Sequence, residues 1–488
     1  MIARVRAALA LTTTVALAAC GGGGGSNVPN GTVGTKAQTQ QLRVVGVGDS
    51  LMAGMQSATL TGLPIPGGAN TGAAGTTVTM PATQPAGFYA LVYAQANPGV
   101  SVGDPTVSPL PLIKPPGLGG TLVPTTSGFP APVANFCDAN ENPANQFGSA
   151  LSLRLNPSAT PLDVAVPSQT VHEALYMIGA IGDCAITQNP SSYPANIVAL
   201  NALVNGESQS FWPVLGTFGQ NVTQVGAAAS LHGQLALVWL GSNDLLKVVF
   251  SSGQSPVTDP AAIGKDMTDI IQALQGSGAK VVVANLIDVL GAATFFPVTG
   301  TAARPSYAAQ LSLAIQQQGV PKAVADGIAA QYANAEIAQT GLGANGFFTV
   351  NAFFNTLAAI KAQQPPPTLH ATDVVPDALA VQVQGLNNAY NAAIAGAVTA
   401  TNATLVDINA VYKQISANGG YPINPPKCCS PIYGGGLTSL DGLHPSATGY
   451  AIIAKVFIDA INAKLGLGIA PIDSRIPAIY AADVYAPH

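Results

Sequence analysis

The sequence predicts an α/β protein in three layers, with a mainly parallel five-stranded sheet between two layers of helices. Three observations carry this expectation. Five short runs rich in β-branched residues punctuate the chain, and none shows the polar alternation of a half-exposed sheet. Helical patterns separate them, as crossover connections between parallel strands require. Apolar residues make up 48% of the 488, ample for a core that covers both faces of a sheet.

The chain opens with Met1 to Cys20, "MIARVRAALALTTTVALAAC". Arg4 and Arg6 give a basic start, and Ala8 to Ala19 form an apolar run too short for a comfortable membrane span, so residues 1–20 read as a secretion signal. The ending Leu17-Ala18-Ala19-Cys20 resembles the bacterial lipobox, in which the cysteine is lipidated; the alternative is an ordinary cleaved signal with an incidental cysteine. Residues 21–41 begin with Gly21 to Gly25 and continue polar, the composition of a flexible tether. Lipid on Cys20 would then hold residues 42–488 at a membrane without a spanning helix. The expected location is outside the cytoplasm, in the periplasm or at the cell surface. Gly21, where an Asp is associated with inner-membrane retention, favours the outer membrane.

The strand candidates are Leu42–Val47, Leu162–Val166, Leu235–Leu240, Lys280–Leu286 and Thr404–Ile408. The clearest helical patterns are Phe88–Ala96, Val222–Leu231, Pro260–Gln275, Pro376–Ala400 and Ser446–Leu465. Three intervals are too long for simple connections and read as insertions in one domain, near 57–136, 188–219 and 291–372. The first carries the Pro/Gly-rich "PLPLIKPPGLGG", the second is loop-like around Trp212, and the third is rich in Ala and Gln and helical in part. The 53 glycines and 38 prolines concentrate in such stretches, so they mark long ordered loops and not chain-wide disorder.

Only 8% of residues are charged and the formal net charge is −5, which excludes nucleic acid as a partner because phosphate binding needs clustered Lys and Arg. Besides Cys20, the cysteines are Cys137, Cys184, Cys428 and Cys429. An even number in an oxidising compartment favours disulfides. The preferred pairing joins Cys137 to Cys184 and leaves Cys428 and Cys429 as a vicinal pair; crossed pairings would staple early loops to the late one. Metal binding is the rival use, but no CxxC or His-rich spacing accompanies them, and no metal site is assigned.

Three short stretches carry chemistry. In "VGVGDSLMAG" the first strand ends at Gly48-Asp49-Ser50, and ligands of open α/β sheets bind beyond the carboxyl ends of strands. Alone, this stretch reads equally as a turn or a helix cap made by Asp49 or Ser50. In "LVWLGSNDLL", Gly241, Asn243 and Asp244 follow the third main strand, where Asn243 can point its side-chain NH2 into the same cleft; an ordinary strand-to-helix turn is the alternative. In "SLDGLHPSATGY", Asp441 and His444 precede the last helix. A carboxylate near a histidine with two residues between can hold one ring nitrogen and turn the other outward, the orienting and basic half of a hydrolytic triad. The alternative there is a capping Asp441 and a bystander His444. The other histidines, His172, His232, His370 and His488, have no metal-ligand spacing. His172 either lines the cleft or sits on a helix surface.

Together, Gly48-Asp49-Ser50, Gly241-Ser242-Asn243-Asp244 and Asp441-Gly442-Leu443-His444, in that order and each beside a strand or helix, resemble the GDSL, or SGNH, hydrolase family across residues 42–465. The resemblance implies the flavodoxin-like fold of that family and hydrolysis of a carboxylic ester, lipid, short-chain or acylated sugar, without metal or organic cofactor. It implies Ser50 as nucleophile, His444 as base and Asp441 as its orienting acid. The implied oxyanion hole comprises the backbone N–H of Ser50, that of Ser168 and the side chain of Asn243. Gly241 would shape the turn presenting Asn243, and Asp49 would help aim Ser50. One block departs from the family pattern: where Ala-Val-x-Gly is expected, this chain has Ala165-Val166-Pro167-Ser168. Serine keeps the N–H, provided the backbone angle does not demand glycine; Gly179 and Gly182 are the alternatives. Two other functions fit the same residues: a polysaccharide O-acetyl esterase or acyltransferase using the same triad, and a catalytically inactive surface binding protein retaining the fold. Phe295, Phe296, Phe347, Phe348, Phe353 and Phe354 of the third insertion would either form a lid over an acyl chain or pack the insertion onto the sheet.

Overall fold

The computed structural model describes residues 41–70, 77–115, 117–118, 151–179, 185–186, 189–198, 210–219, 221–423 and 428–487. Cys20 with its signal segment, the tether to residue 40, Cys137, Cys184, Gly182 and His488 lie outside the described residues.

From the N-terminus, β1 (Val44–Gly48) leads into α1 (Ser50–Ala53). An antiparallel pair, β2 (Ile65–Asn70) and β3 (Thr77–Met80), precedes α2 (Phe88–Ala96), α3 (Val171–Tyr176) and α4 (Gln224–Ser230). Next come β4 (Leu235–Trp239), α5 (Ser242–Phe250), α6 (Pro260–Gly276) and β5 (Lys280–Ala284). The third insertion holds β6 (Phe295–Pro297), α7 (Tyr307–Gln316), α8 (Lys322–Thr340), β7 (Phe347–Thr349) and α9 (Val350–Lys361). The chain closes with β8 (Val374–Val375), α10 (Asp377–Thr401), β9 (Thr404–Val406), α11 (Ile408–Ala417), α12 (Ala447–Leu465) and α13 (Ile476–Ala482).

The main sheet is parallel in the order β1-β4-β5-β9, with Val44 opposite Leu235, Leu235 opposite Lys280 and Val282 opposite Thr404. Four regular strands stand where the sequence predicted five. The missing one, residues 162–166, does run beside β1: Gly46 N–H donates to Leu162 O, and the N–H groups of Val164 and Val166 donate to Gly46 O and Gly48 O, each at 3.0 Å. The ladder is interrupted where Gln224, buried at the start of α4, inserts its amide. Its Nε2 donates to Gly48 O at 2.6 Å and to Val164 O at 3.0 Å, so that Val164 carbonyl serves a side chain in place of the β1 backbone. A side-chain clamp thus stands in for the rung to the Val164 carbonyl, just before the Val166–Gly48 bond at the carboxyl end of β1.

Alternate residues of each strand enter opposite cores, as a period of two dictates. Val45, Val47, Ala236, Val238, Val281 and Val283 pack with residues of α4, α6 and α10. Val44, Leu235, Leu237, Trp239, Val282 and Ala284 pack with α2 and α12, where Phe88 stacks on Phe457 at 4.8 Å and meets Trp239 edge-on at 5.4 Å. Full burial of each such Val or Leu contributes about 1.5–3 kcal/mol, which is why these runs read as continuous apolar strands. The flanking helices carry local stop and start signals. Asp259 caps α6 ahead of Pro260, and Ser446 caps α12, which ends at left-handed Gly466. No described helix is long and apolar enough to cross a membrane.

The third insertion builds its own antiparallel sheet, β6-β7-β8, with a core of its own. Its phenylalanines divide by the same period of two: Phe295 and Phe347 face the main core, while Phe296 and Phe348 face the insertion's core with Phe353. These five are 5% exposed or less, and Phe354 is partly buried beside them. Phe295 and Phe347 pack the insertion onto the main core, and the other four fill the insertion's own core.

Candidate active site

Gly48 ends β1 because nothing larger fits: a Cβ there would lie 2.4 Å from Met52 Cβ and 2.8 Å from Trp239 O. Asp49 then caps α1, its Oδ1 accepting from Leu51 N–H at 2.9 Å. Ser50 is thereby the first helical residue, and its N–H is among those a helix start leaves without an intrahelical acceptor. Its hydroxyl lies 2.8 Å from His444 Nε2.

His444 sits in the turn before α12, only 6% exposed. Its Nδ1 lies 2.5 Å from Asp441 Oδ2. Asp441 Oδ1 accepts from the N–H groups of Leu443 and His444, both at 2.9 Å, and from Ser439 Oγ at 3.2 Å. Burial pushes the Asp441 carboxyl up, but the His444 imidazole beside it and these donors outweigh burial and hold it below the usual carboxylate range. The turn supplies an ionised acceptor, an imidazole fixed at Nδ1, and an Nε2 facing the serine.

Asn243 approaches from the β4 side. Gly241, at φ +116° and ψ −15°, makes the turn into α5, a conformation that glycine adopts freely and a Cβ does not. Asn243 Nδ2 donates to Asp49 Oδ2 at 3.0 Å and to Gln169 O at 3.1 Å. Its neighbour Asp244 accepts from Val171 N–H and from Thr258 Oγ1, each at 3.1 Å. Adjacent residues of α5 therefore pin the backbone that follows Ser168. Ser168 is exposed, two residues beyond the Val166 N–H that bonds Gly48 O, and it takes φ +71°. The angle is one glycine prefers, and this chain adopts it with a serine. Gly179, the alternative, lies against Phe211 and Trp212; neither it nor Ser168 is among the residues that line the cleft over Ser50.

Asp49 is only 1% exposed, and burial pushes its carboxyl up to about 7 despite the Leu51 N–H and the nearby His444. Burial also lifts Asp244, to about 6. The cleft over Ser50 measures about 640 Å³, counted to its open mouth, and is walled by Leu246, Ile287, Val289, Ala292 and Leu443 among others. None of the six phenylalanines of the third insertion lines it.

His172 stands on α3 outside this cleft, exposed and 2.9 Å from Asp266. His232 and His370 are likewise absent from the lining. Among the described residues no group of three or more His, Cys, Asp or Glu side chains is placed to hold a metal. A disulfide joins Cys428 and Cys429, in the loop that leads through Pro431 and Thr438 of the cleft wall to Asp441. Two contributors escaped the sequence reading. The carbonyl of Gln169 and the N–H of Ala58, which donates to Asp441 Oδ2 at 2.7 Å, are backbone groups with no residue-type signature.

A search of curated proteins found no relative of this chain. The model of the GDSL-like lipase/acylhydrolase family, however, matches residues 44–457, from the first residue of β1 into α12. With a match of that extent over these motifs, the chain belongs to the GDSL-like lipase/acylhydrolases, a family of esterase- and lipase-type hydrolases.

Proposed function

We propose that the protein cleaves carboxylic esters through an acyl-enzyme on Ser50. The observation that carries this reading is the continuous relay from Ser50 Oγ to His444 Nε2 at 2.8 Å and from His444 Nδ1 to Asp441 Oδ2 at 2.5 Å. His444 takes the Ser50 proton as the hydroxyl attacks the ester carbonyl. It then returns that proton to the leaving alcohol, and repeats the cycle with water to release the acid. Asp441 fixes the tautomer and stabilises the imidazolium. The oxyanion meets the N–H groups of Ser50 and Ser168, and Asn243 joins them by sharing a hydrogen now on Gln169 O. Asp49, through Leu51 N–H and Asn243 Nδ2, holds nucleophile and oxyanion donor in register.

The test is turnover of p-nitrophenyl esters from short to long chains by the wild type and Ser50→Ala. Turnover that Ser50→Ala loses is expected; no turnover at any chain length would overturn the reading and favour an inactive binding protein. An acylated sugar as substrate has one observation in its favour. Asp288, Tyr412 and Thr438 line the cleft, and Thr438 Oγ1 is buried with no hydrogen-bond partner among the described residues. Acetyl release from a polysaccharide, with poor turnover of lipid esters, would select that substrate class. Lipid attachment at Cys20, with the tether beyond it, would place this chemistry at a membrane surface.

A further inference from the structure

Directly after α1 the chain makes a two-residue hairpin turn. Gln56 N–H donates to Thr59 O at 3.0 Å and Thr59 N–H to Gln56 O at 2.8 Å. Ser57 and Ala58 between them both adopt left-handed φ, 49° and 53°. This is type I′ geometry, for which Asn-Gly and Gly-Gly are the unstrained choices; a Cβ at both central positions opposes it. Hairpin tips normally face water. This one is buried, with Ser57 1% exposed.

Its polar groups meet the loop that carries Asp441. Ser57 N–H donates to Ser439 Oγ at 2.7 Å, and Leu440 N–H donates to Ser57 Oγ at 3.2 Å. The hydroxyls of Ser57 and Tyr485 lie 3.0 Å apart. Tyr485 belongs to a C-terminal segment in which Asp483 accepts from Thr448 N–H of α12 at 2.8 Å, so the turn is gripped from two sides. Ala58 N–H donates to Asp441 Oδ2 at 2.7 Å. The loop's own donors, Leu443 N–H, His444 N–H and Ser439 Oγ, all hold Oδ1. Oδ2, the oxygen facing His444 Nδ1, is held from outside that loop by Ala58.

We propose that the Ser57–Ala58 turn is a positioning element of the triad, in which the Ala58 N–H aims Asp441 Oδ2 at His444 Nδ1. This rests on the reading of Ser50, His444 and Asp441 as a catalytic triad. The strained backbone has a reason here: in this left-handed pair the N–H groups of both residues reach the Asp441 loop. The side chain at 58 plays no part, so the function is invisible in the residue type.

The decisive variant replaces Ala58 with lactic acid during cell-free synthesis, which keeps the methyl group and exchanges the N–H for an ester oxygen that cannot donate. A lost hydrogen bond to a charged acceptor lowers kcat about ten- to a hundredfold, with KM unchanged. The low-field Nδ1 proton resonance of His444, identified by its loss in His444→Gln, moves or broadens in the same variant. Ala58→Gly keeps the N–H, suits the left-handed angle and restores both readouts. Ser57→Ala, which frees the turn from Leu440 N–H and the Tyr485 hydroxyl without touching Asp441, gives a smaller fall in kcat with a shift of the same resonance, and stands in if the ester variant does not fold. Wild-type kcat and an unmoved resonance in the lactic acid variant, or in Ser57→Ala where that variant does not fold, would overturn the proposal. If the wild type itself turns over no ester, the hydrolase reading falls, while the resonance still decides whether Ala58 orients Asp441.

Discussion

Asp49 is a buried carboxyl whose proton the fold favours, and replacing it with Asn makes that measurable. Burial lifts Asp49 from 3.8 in the unfolded chain to about 7 in the folded one. Below about pH 4 both states hold the proton, and Asp49 adds no pH dependence. Between about 4 and 7 only the folded state holds it, so stability is lost with each unit of rising pH, at about 1.4 kcal/mol per unit. Above about 7 both states are ionised and the loss is complete. From pH 5 to pH 8 this single group therefore removes on the order of 3 kcal/mol. Asp49→Asn cannot titrate. Its new amide faces the Asn243 amide, a penalty that does not vary with pH and cancels in the comparison. The assay is urea unfolding followed by fluorescence, since both tryptophans, Trp212 and Trp239, are buried. Wild type should lose about 3 kcal/mol more than Asp49→Asn between the two pH values. Asp244, lifted to about 6 with the same sign, is present in both proteins. Equal losses would refute the account of Asp49 as a carboxyl held protonated by burial.

Other substitutions test the neighbouring turns. Ser168→Gly relieves a left-handed serine worth about 1–2 kcal/mol but restores backbone entropy worth about 0.4–1 kcal/mol to the unfolded chain. A small net stabilisation with unchanged ester turnover is expected in the urea assay, and a tenfold fall in turnover would mean the Ser168 hydroxyl takes part. Gly241→Ala forces a Cβ into φ +116°, 3.1 Å from Leu286 Cδ2; it should cost about 1–3 kcal/mol and turnover with it, and wild-type values would show that this turn does not set Asn243. For the proposed anchor, cells grown with an alkynyl fatty acid should label the wild type and not Cys20→Ser, which should move to the soluble fraction. An unlabelled wild type would refute lipidation.

Strands β1, β4 and β5 were legible because each is an unbroken apolar run buried on both faces. Residues 162–166 looked the same in composition, but whether they form a full ladder depends on Gln224, sixty residues away, competing for the Val164 carbonyl. The small β6-β7-β8 sheet was not legible: its strands are two or three residues long, too short to show a period, and lie within an Ala- and Gln-rich stretch. Ser50, Asp441, His444 and Asn243 could be picked out because the proposed chemistry needs particular side chains beside strand ends; Ser50, His444 and Asn243 line one cleft, with Asp441 buried behind His444. What supports them could not. Ser168 sits at a glycine-type angle that its residue type conceals, and Ala58 acts through a backbone N–H that any residue but proline would supply.

The central claim, that Ser50 is the nucleophile of a His444-driven hydrolase, is tested most directly by reacting the purified protein with a fluorophosphonate and mapping the adduct by mass spectrometry. The account predicts one adduct on the peptide containing Ser50, absent in Ser50→Ala and formed far more slowly in His444→Ala. An adduct on another residue, or none at all, would contradict it.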